Sequence, residues 1–225
     1  MLSLSPDECR VLGVLIEKAQ TTPQQYPLTL NSLTTGCNQK NNRDPVTDLD
    51  EDTVFAAVDS LRNKNIVREV FLSGSRVQKF RHVARETLSV NTEELVLLAE
   101  LMLRGPQSVG ELRGRASRMV QDNGLESLEK TQQILDAMGA RPEPLAKLIP
   151  APPGTRAPLF VQQLCPNLHP LNRLPAAAST PGSPVTQRSD NLEPRIAEME
   201  RQLGELRAAV SRLASRLGEP DPFAT

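Results

Sequence analysis

The sequence predicts a mainly α-helical protein with small β-hairpins: two similar α+β units followed by a tail. Three observations carry that prediction. Helix, polar turn, helix and basic hairpin follow one another through 26–82, and a diverged copy of that order follows at 92–164. Apolar residues then recur at alternating spacings of 4 and 3 through 192–217, the signature of a coiled coil.

Composition sets the limits. Hydrophobic residues make up 38% of 225 and aromatics 3%, so the cores are aliphatic and small. Two units of roughly 80 residues fit better than one large core. The net charge of -1 gives no global attraction to nucleic acid or membrane, so any such contact must rest on local charge. Cys9, Cys37 and Cys165 are scattered without a Cys-x-x-Cys, which argues against disulfides and a zinc site. Asp7 and Glu8 interrupt the first apolar run, and no stretch nears the roughly 20 residues of a membrane span. A cytoplasmic protein without metal or cofactor is expected.

Ser5-Pro6-Asp7-Glu8 opens the first helix with a capping box, and Val11, Leu12, Leu15 and Ile16 form its buried stripe. A second helix is predicted over 28–38, with Leu30 and Leu33 inward. The run 38–45, Asn-Gln-Lys-Asn-Asn-Arg-Asp-Pro, is too polar for a core. Asp50 caps a third helix through 64, carrying Val54, Val58 and Leu61. Strands at 66–72 and 77–82 flank Ser73-Gly74-Ser75 as a hairpin. That order is a winged helix, assigned to 1–86, with the third helix in the recognition position.

The second unit, 87–164, starts with a short connection at 85–91. Helices follow from Thr92, from the cap Ser108, and over 126–138, and a second hairpin spans 145–164. Prolines, alanines and serines dominate 165–191, predicting a disordered linker. In 192–217, Ile196, Leu203, Val210 and Leu217 take a positions and Leu192, Met199, Leu206 and Leu213 take d positions. This favours a parallel homodimer, with a single helix laid against its own domains as the alternative.

Charge gathers on the first hairpin. Arg62, Lys64, Arg68, Arg76, Lys79, Arg81 and Arg85 against Glu69 leave +6. Such charge suits phosphate contacts, with Lys40 and Arg43 extending it and Asn38, Gln39 and Asn42 offering amides to bases. Against this, Asp48, Asp50, Glu51 and Asp52 crowd the start of the third helix, the end that normally enters the major groove. Acids at a helix start also have a plain stabilising role. Catalysis has little support. Cys37 and His82 are the one imaginable thiol–imidazole pair, and no phosphate loop, His-Glu-x-x-His or serine elbow occurs.

Thr21-Thr22-Pro23, Tyr26-Pro27-Leu28, Cys37-Asn38-Gln39-Lys40, Asn42-Arg43 and Pro45-Val46 together resemble the bacterial YceH-like family. So do Leu103-Arg104-Gly105, Gly110-Glu111-Leu112-Arg113 and Arg115-Ala116. The resemblance spans roughly 4–164 and implies tandem winged helices. It marks Arg104, Glu111, Arg113 and Arg115 beside the first-unit residues, with no role attached to them. Two functions are expected: a dimeric regulator contacting double-stranded DNA through the first wing, or a scaffold that docks a protein partner. A third reading makes the motif residues structural, with Arg43 and Arg104 bonding carbonyls or carboxylates where the domains meet.

Overall fold

A computed structural model describes residues 2–71, 77–120, 124–151, 157–169, 201 and 211. Its helices begin where side chains satisfy the free N–H groups of a first turn. Ser5 and Glu8 form the capping box of α1, Pro6–Thr21. Thr29 caps α2, Leu30–Cys37, and Asp50 caps α3, Glu51–Asn63. Strands β1, Val67–Val70, and β2, Lys79–His82, pair antiparallel.

The order then repeats. After the short helix α4, Ala84–Leu88, come α5, Thr92–Arg104, α6, Val109–Ala116, and α7, Leu128–Gly139. Strands β3, Ala146–Ile149, and β4, Leu159–Gln162, close the second half as an antiparallel pair. The halves also share a smaller feature. Leu28, just before α2, bridges Phe80 of β2, and Gln107, just before α6, bridges Phe160 of β4. Both phenylalanines are buried. Each hairpin thus gains a one-residue third strand.

Two helix starts move from the sequence expectation, one connection gains a helix, and the first two strands are shorter than expected. The second helix starts at Leu30 because Leu28 is spent on the bridge and Thr29 on the cap. The last helix of the second half starts at Leu128, because Ser127 caps it. The connection expected at 85–91 contains α4, whose Ala84 and Leu88 are buried.

One compact unit covers Met1–Ala177 and another Ala178–Thr225. In the first, a single hydrophobic cluster extends from Leu4 to Cys165. The two N-terminal helices of the halves, α1 and α5, pack on each other at its centre. A Cβ on Gly13 would lie 3.0 Å from the Leu103 side chain, so glycine permits that close approach. Cys165, where the linker was expected to start, is buried, and His169 Nε2 sits 2.5 Å from the Asp44 carbonyl. Residues 170–191 and the predicted heptads lie outside the described residues, except Arg201 and Ser211, which are helical.

Candidate nucleic-acid interface

The β1–β2 register sorts the basic hairpin residues onto faces. Arg68 stands directly opposite Arg81, and Val70 opposite Lys79. Alternation along a strand puts Arg68, Lys79 and Arg81 on one face, away from the buried Val67 and Phe80. Arg68 and Arg81 are exposed and Lys79 is half-buried. Like charges opposite each other destabilise a hairpin. Among the described residues none of the three has an ion-pair or hydrogen-bond partner from its side chain. Arg62 differs: it pairs with Asp59 at 3.2 Å and Glu69 at 3.1 Å. Phe71 and Val77, nearer the hairpin tip, are 62% and 55% exposed. Arg76 lies outside the described residues.

The polar run after α2 behaves differently from the expectation. Arg43 is not a surface cation: its side chain is fully buried and pairs with Glu17 of α1. Its three nitrogens donate to Gly36 O, Glu17 Oε1 and Oε2, Asn42 O and Gln39 Oε1, over 2.7–3.2 Å. No phosphate can reach it. Asn38 is equally committed, donating to Leu49 O at 2.7 Å and accepting from Leu49 N–H at 2.8 Å. Gln39 accepts from Arg43 and, at 3.5 Å, from Lys18. Arg43 and Gln39 pin the loop between α2 and α3 to α1, and Asn38 ties the loop's two ends together. Lys40 and Asn42 remain exposed, with Asn42 in the left-handed region at φ 65. Burial alone would push the Glu17 carboxyl up, but hydrogen bonds and charge from Arg43 bring it below its ordinary value.

The outward side of α3 is acidic. Glu51, Asp52 and Asp59 are exposed there, with Phe55 40% exposed among them. Asp50 is engaged as the cap, and Glu51 accepts from Asn31 at 3.1 Å.

The second-half motif residues also have definite places. Glu111 completes a capping box with Ser108, whose backbone N–H holds the carboxyl below its usual range. Arg113 donates to Leu125 O at 3.0 Å and Glu126 O at 2.6 Å, closing the turn before α7. Arg104 lies 2.8 Å from Glu100 on its own helix. Arg115 donates to Gln107 at 2.5 Å. Glu17, Glu100 and Gln107 escaped the sequence reading. The available signal was helical spacing, since Arg10 and Glu17 fall on the same stripe as Gly13 and Val14.

No catalytic arrangement emerges among the described residues. Burial holds the Cys37 thiol up at about 12 and drives His82 down to about 4. No group of three or more His, Cys, Asp or Glu side chains is placed to hold a metal ion among these residues. Neither is any described helix long and apolar enough to cross a membrane.

A family model described as "Protein of unknown function, DUF480" matches residues 4–155. A UPF0502 protein of Shewanella piezotolerans is 38% identical over 96% of this chain and 99% of its own length. One of Koribacter versatilis is 40% identical over 91% of each chain, and one of Geobacter sulfurreducens 47% identical over 72% of each.

Proposed function

The chain belongs to the DUF480 (UPF0502, YceH-like) family of bacterial proteins, and from that premise we propose that it is a non-enzymatic, cytoplasmic, DNA-contacting regulator built from two winged-helix modules. One observation carries the reading. Arg68, Lys79 and Arg81 share an outward hairpin face on which like charges stand opposite each other without carboxylates to offset them. A phosphate backbone relieves that repulsion, and the exposed Phe71 and Val77 extend the contact at the tip. The exposed Lys40 and Asn42 flank this contact from the loop after α2. The acidic outer side of α3 argues that the hairpin, rather than α3, approaches the duplex. The heptads of 192–217 would pair two copies and set the spacing of half-sites.

The test is duplex binding by the Arg68→Gln/Lys79→Gln/Arg81→Gln variant over a range of salt. Losing three phosphate contacts should weaken binding to every sequence and flatten the log–log salt slope by about 2–3. An unchanged slope would overturn the proposal.

A second reading rests on α3. Phe55 exposed among Glu51, Asp52 and Asp59 suits a basic, partly apolar protein partner better than a duplex. Under that reading Phe55→Ser abolishes capture of one defined protein, and the hairpin triple variant leaves capture intact.

A further inference from the structure

Arginines in this protein differ in how fully their donors are used. Arg43 is saturated, making six hydrogen bonds. Arg104, Arg115 and Arg118 are not. They come from α5, α6 and the 3-10 turn Ser117–Met119; Arg104 and Arg118 pair with the buried carboxylate of Glu100, and Arg115 is linked to its backbone through Gln107. Arg118 Nη2 donates to Glu100 Oε1 at 3.2 Å. Arg115 Nη1 donates to Gln107 Oε1 at 2.5 Å, and the same amide donates to the Glu100 carbonyl at 3.1 Å. Arg104 Nε is 2.8 Å from Glu100 Oε2 but is not aligned to hydrogen-bond with it. Its Nε and Nη2 are buried without an acceptor.

The charges do not balance locally. Helix α1 packs along α5 and the Ser117–Met119 turn, and its Glu17 feels the charge of Arg118. Arg43 balances Glu17, and Arg104, Arg115 and Arg118 face Glu100 and Glu111, leaving one positive charge in excess. That excess is turned outward, since the Arg115 and Arg118 side chains are 38% and 47% exposed. Guanidinium forks with spare N–H groups match phosphate oxygens in geometry as well as charge.

We propose that Arg104, Arg115 and Arg118, gathered beside Glu100 and Gln107, form a phosphate-binding site separate from the basic hairpin. Glu100 acts as the organiser, holding mutually repelling arginines within reach of one ligand. The phosphate has two possible sources, a nucleic-acid strand or a free phosphorylated small molecule.

The test uses the full-length protein and sodium pyrophosphate as the probe. Thermal unfolding is followed against pyrophosphate and against sodium chloride of equal ionic strength. Pyrophosphate should raise the melting temperature beyond chloride, and Arg115→Gln/Arg118→Gln should remove that extra rise. Each lost arginine should cost about tenfold in affinity, the usual weight of a charge-assisted hydrogen bond. Arg118→Lys, half-exposed and charge-preserving, supplies a milder variant whose fold is not in question; it should weaken pyrophosphate by losing the fork. The hairpin triple variant should respond as the unaltered protein does, so the two proposals fail separately. The source is read with a duplex bearing 5′-hydroxyl ends. Weaker duplex binding by the double variant assigns backbone phosphates, and unchanged duplex binding with lost pyrophosphate response assigns a free phosphorylated ligand. Equal rises with pyrophosphate and chloride, or a pyrophosphate response that survives in both Arg118 variants, would overturn the site.

Discussion

Replacing Arg43 by methionine separates a structural arginine from a DNA-contacting one. Methionine keeps much of the buried stem but removes the cation and all six of its hydrogen bonds. Glu17 is left with a side chain 7% exposed, and Lys18, 3.7 Å away, is its nearest remaining cation. Breaking a buried ion pair from one side typically costs about 3–5 kcal/mol, because the surviving charge is stranded. For a unit of this size that loss lowers the melting temperature by roughly 10 °C. Urea unfolding followed by far-UV circular dichroism reads it as a lower midpoint at constant slope. Glu17→Leu added to Arg43→Met should recover most of the loss, since neither charge is then buried alone. The pH dependence has a definite sign. The Glu17 carboxyl titrates below its ordinary value in the folded chain, so the pair's contribution is present above the unfolded carboxyl pKa. It is lost as pH falls through the folded value, and Arg43→Met should lack that acid limb. An Arg43→Met protein as stable as the unaltered chain, with weakened duplex binding, would refute the assignment and return Arg43 to the surface.

Further outcomes follow from single side chains. Asn38→Ala should lose about 1–2 kcal/mol by orphaning the N–H and C=O of Leu49, measured by the same unfolding curves. Gly36→Ala should destabilise by about 1–3 kcal/mol, because its Cβ would meet Val14 Cγ1 at 2.7 Å. Gly114→Ala is the matched control. Nothing lies within 4 Å of that Cβ in α6, so helix propensity should stabilise the chain by about 0.5–1 kcal/mol. Burial holds His82 at about 4 against an ordinary 6.5, so the unfolded chain takes up the proton first as pH falls. Stability should therefore drop between pH 6.5 and 4 by a few kcal/mol at most, and His82→Phe should flatten that interval.

What could be read from the sequence was local chemistry. Ser5, Asp50 and Ser108 announce their helices because a cap needs only a short side chain at the right offset. Both hairpins were legible from apolar runs around turns. Single-residue bridges were not, because Leu28 and Gln107 pair with Phe80 and Phe160 some fifty residues away and carry no periodicity of their own. The polar run 38–45 misled for a related reason. A loop without secondary structure leaves backbone groups unpaired, and here long polar side chains turn inward to satisfy them. Hydrophilicity in the sequence meant solvation at Lys40 and burial at Arg43, three residues away.

That contrast yields a criterion for where function resides. An arginine whose donors are all occupied by its own chain has no capacity left for a ligand, and Arg43 is so filled. Arginines kept near one another with unfilled donors hold repulsion that some other group must offset. By that measure the residue-dense stretch after α2 is framework. The two places with unspent positive charge are the outward face of the first hairpin and the cluster at Glu100. The hairpin face can lose charge at the exposed positions Arg68 and Arg81 without emptying the core. Neutralising Arg68 and Arg81 should change binding at nearly constant stability, whereas neutralising Arg43 should change stability first.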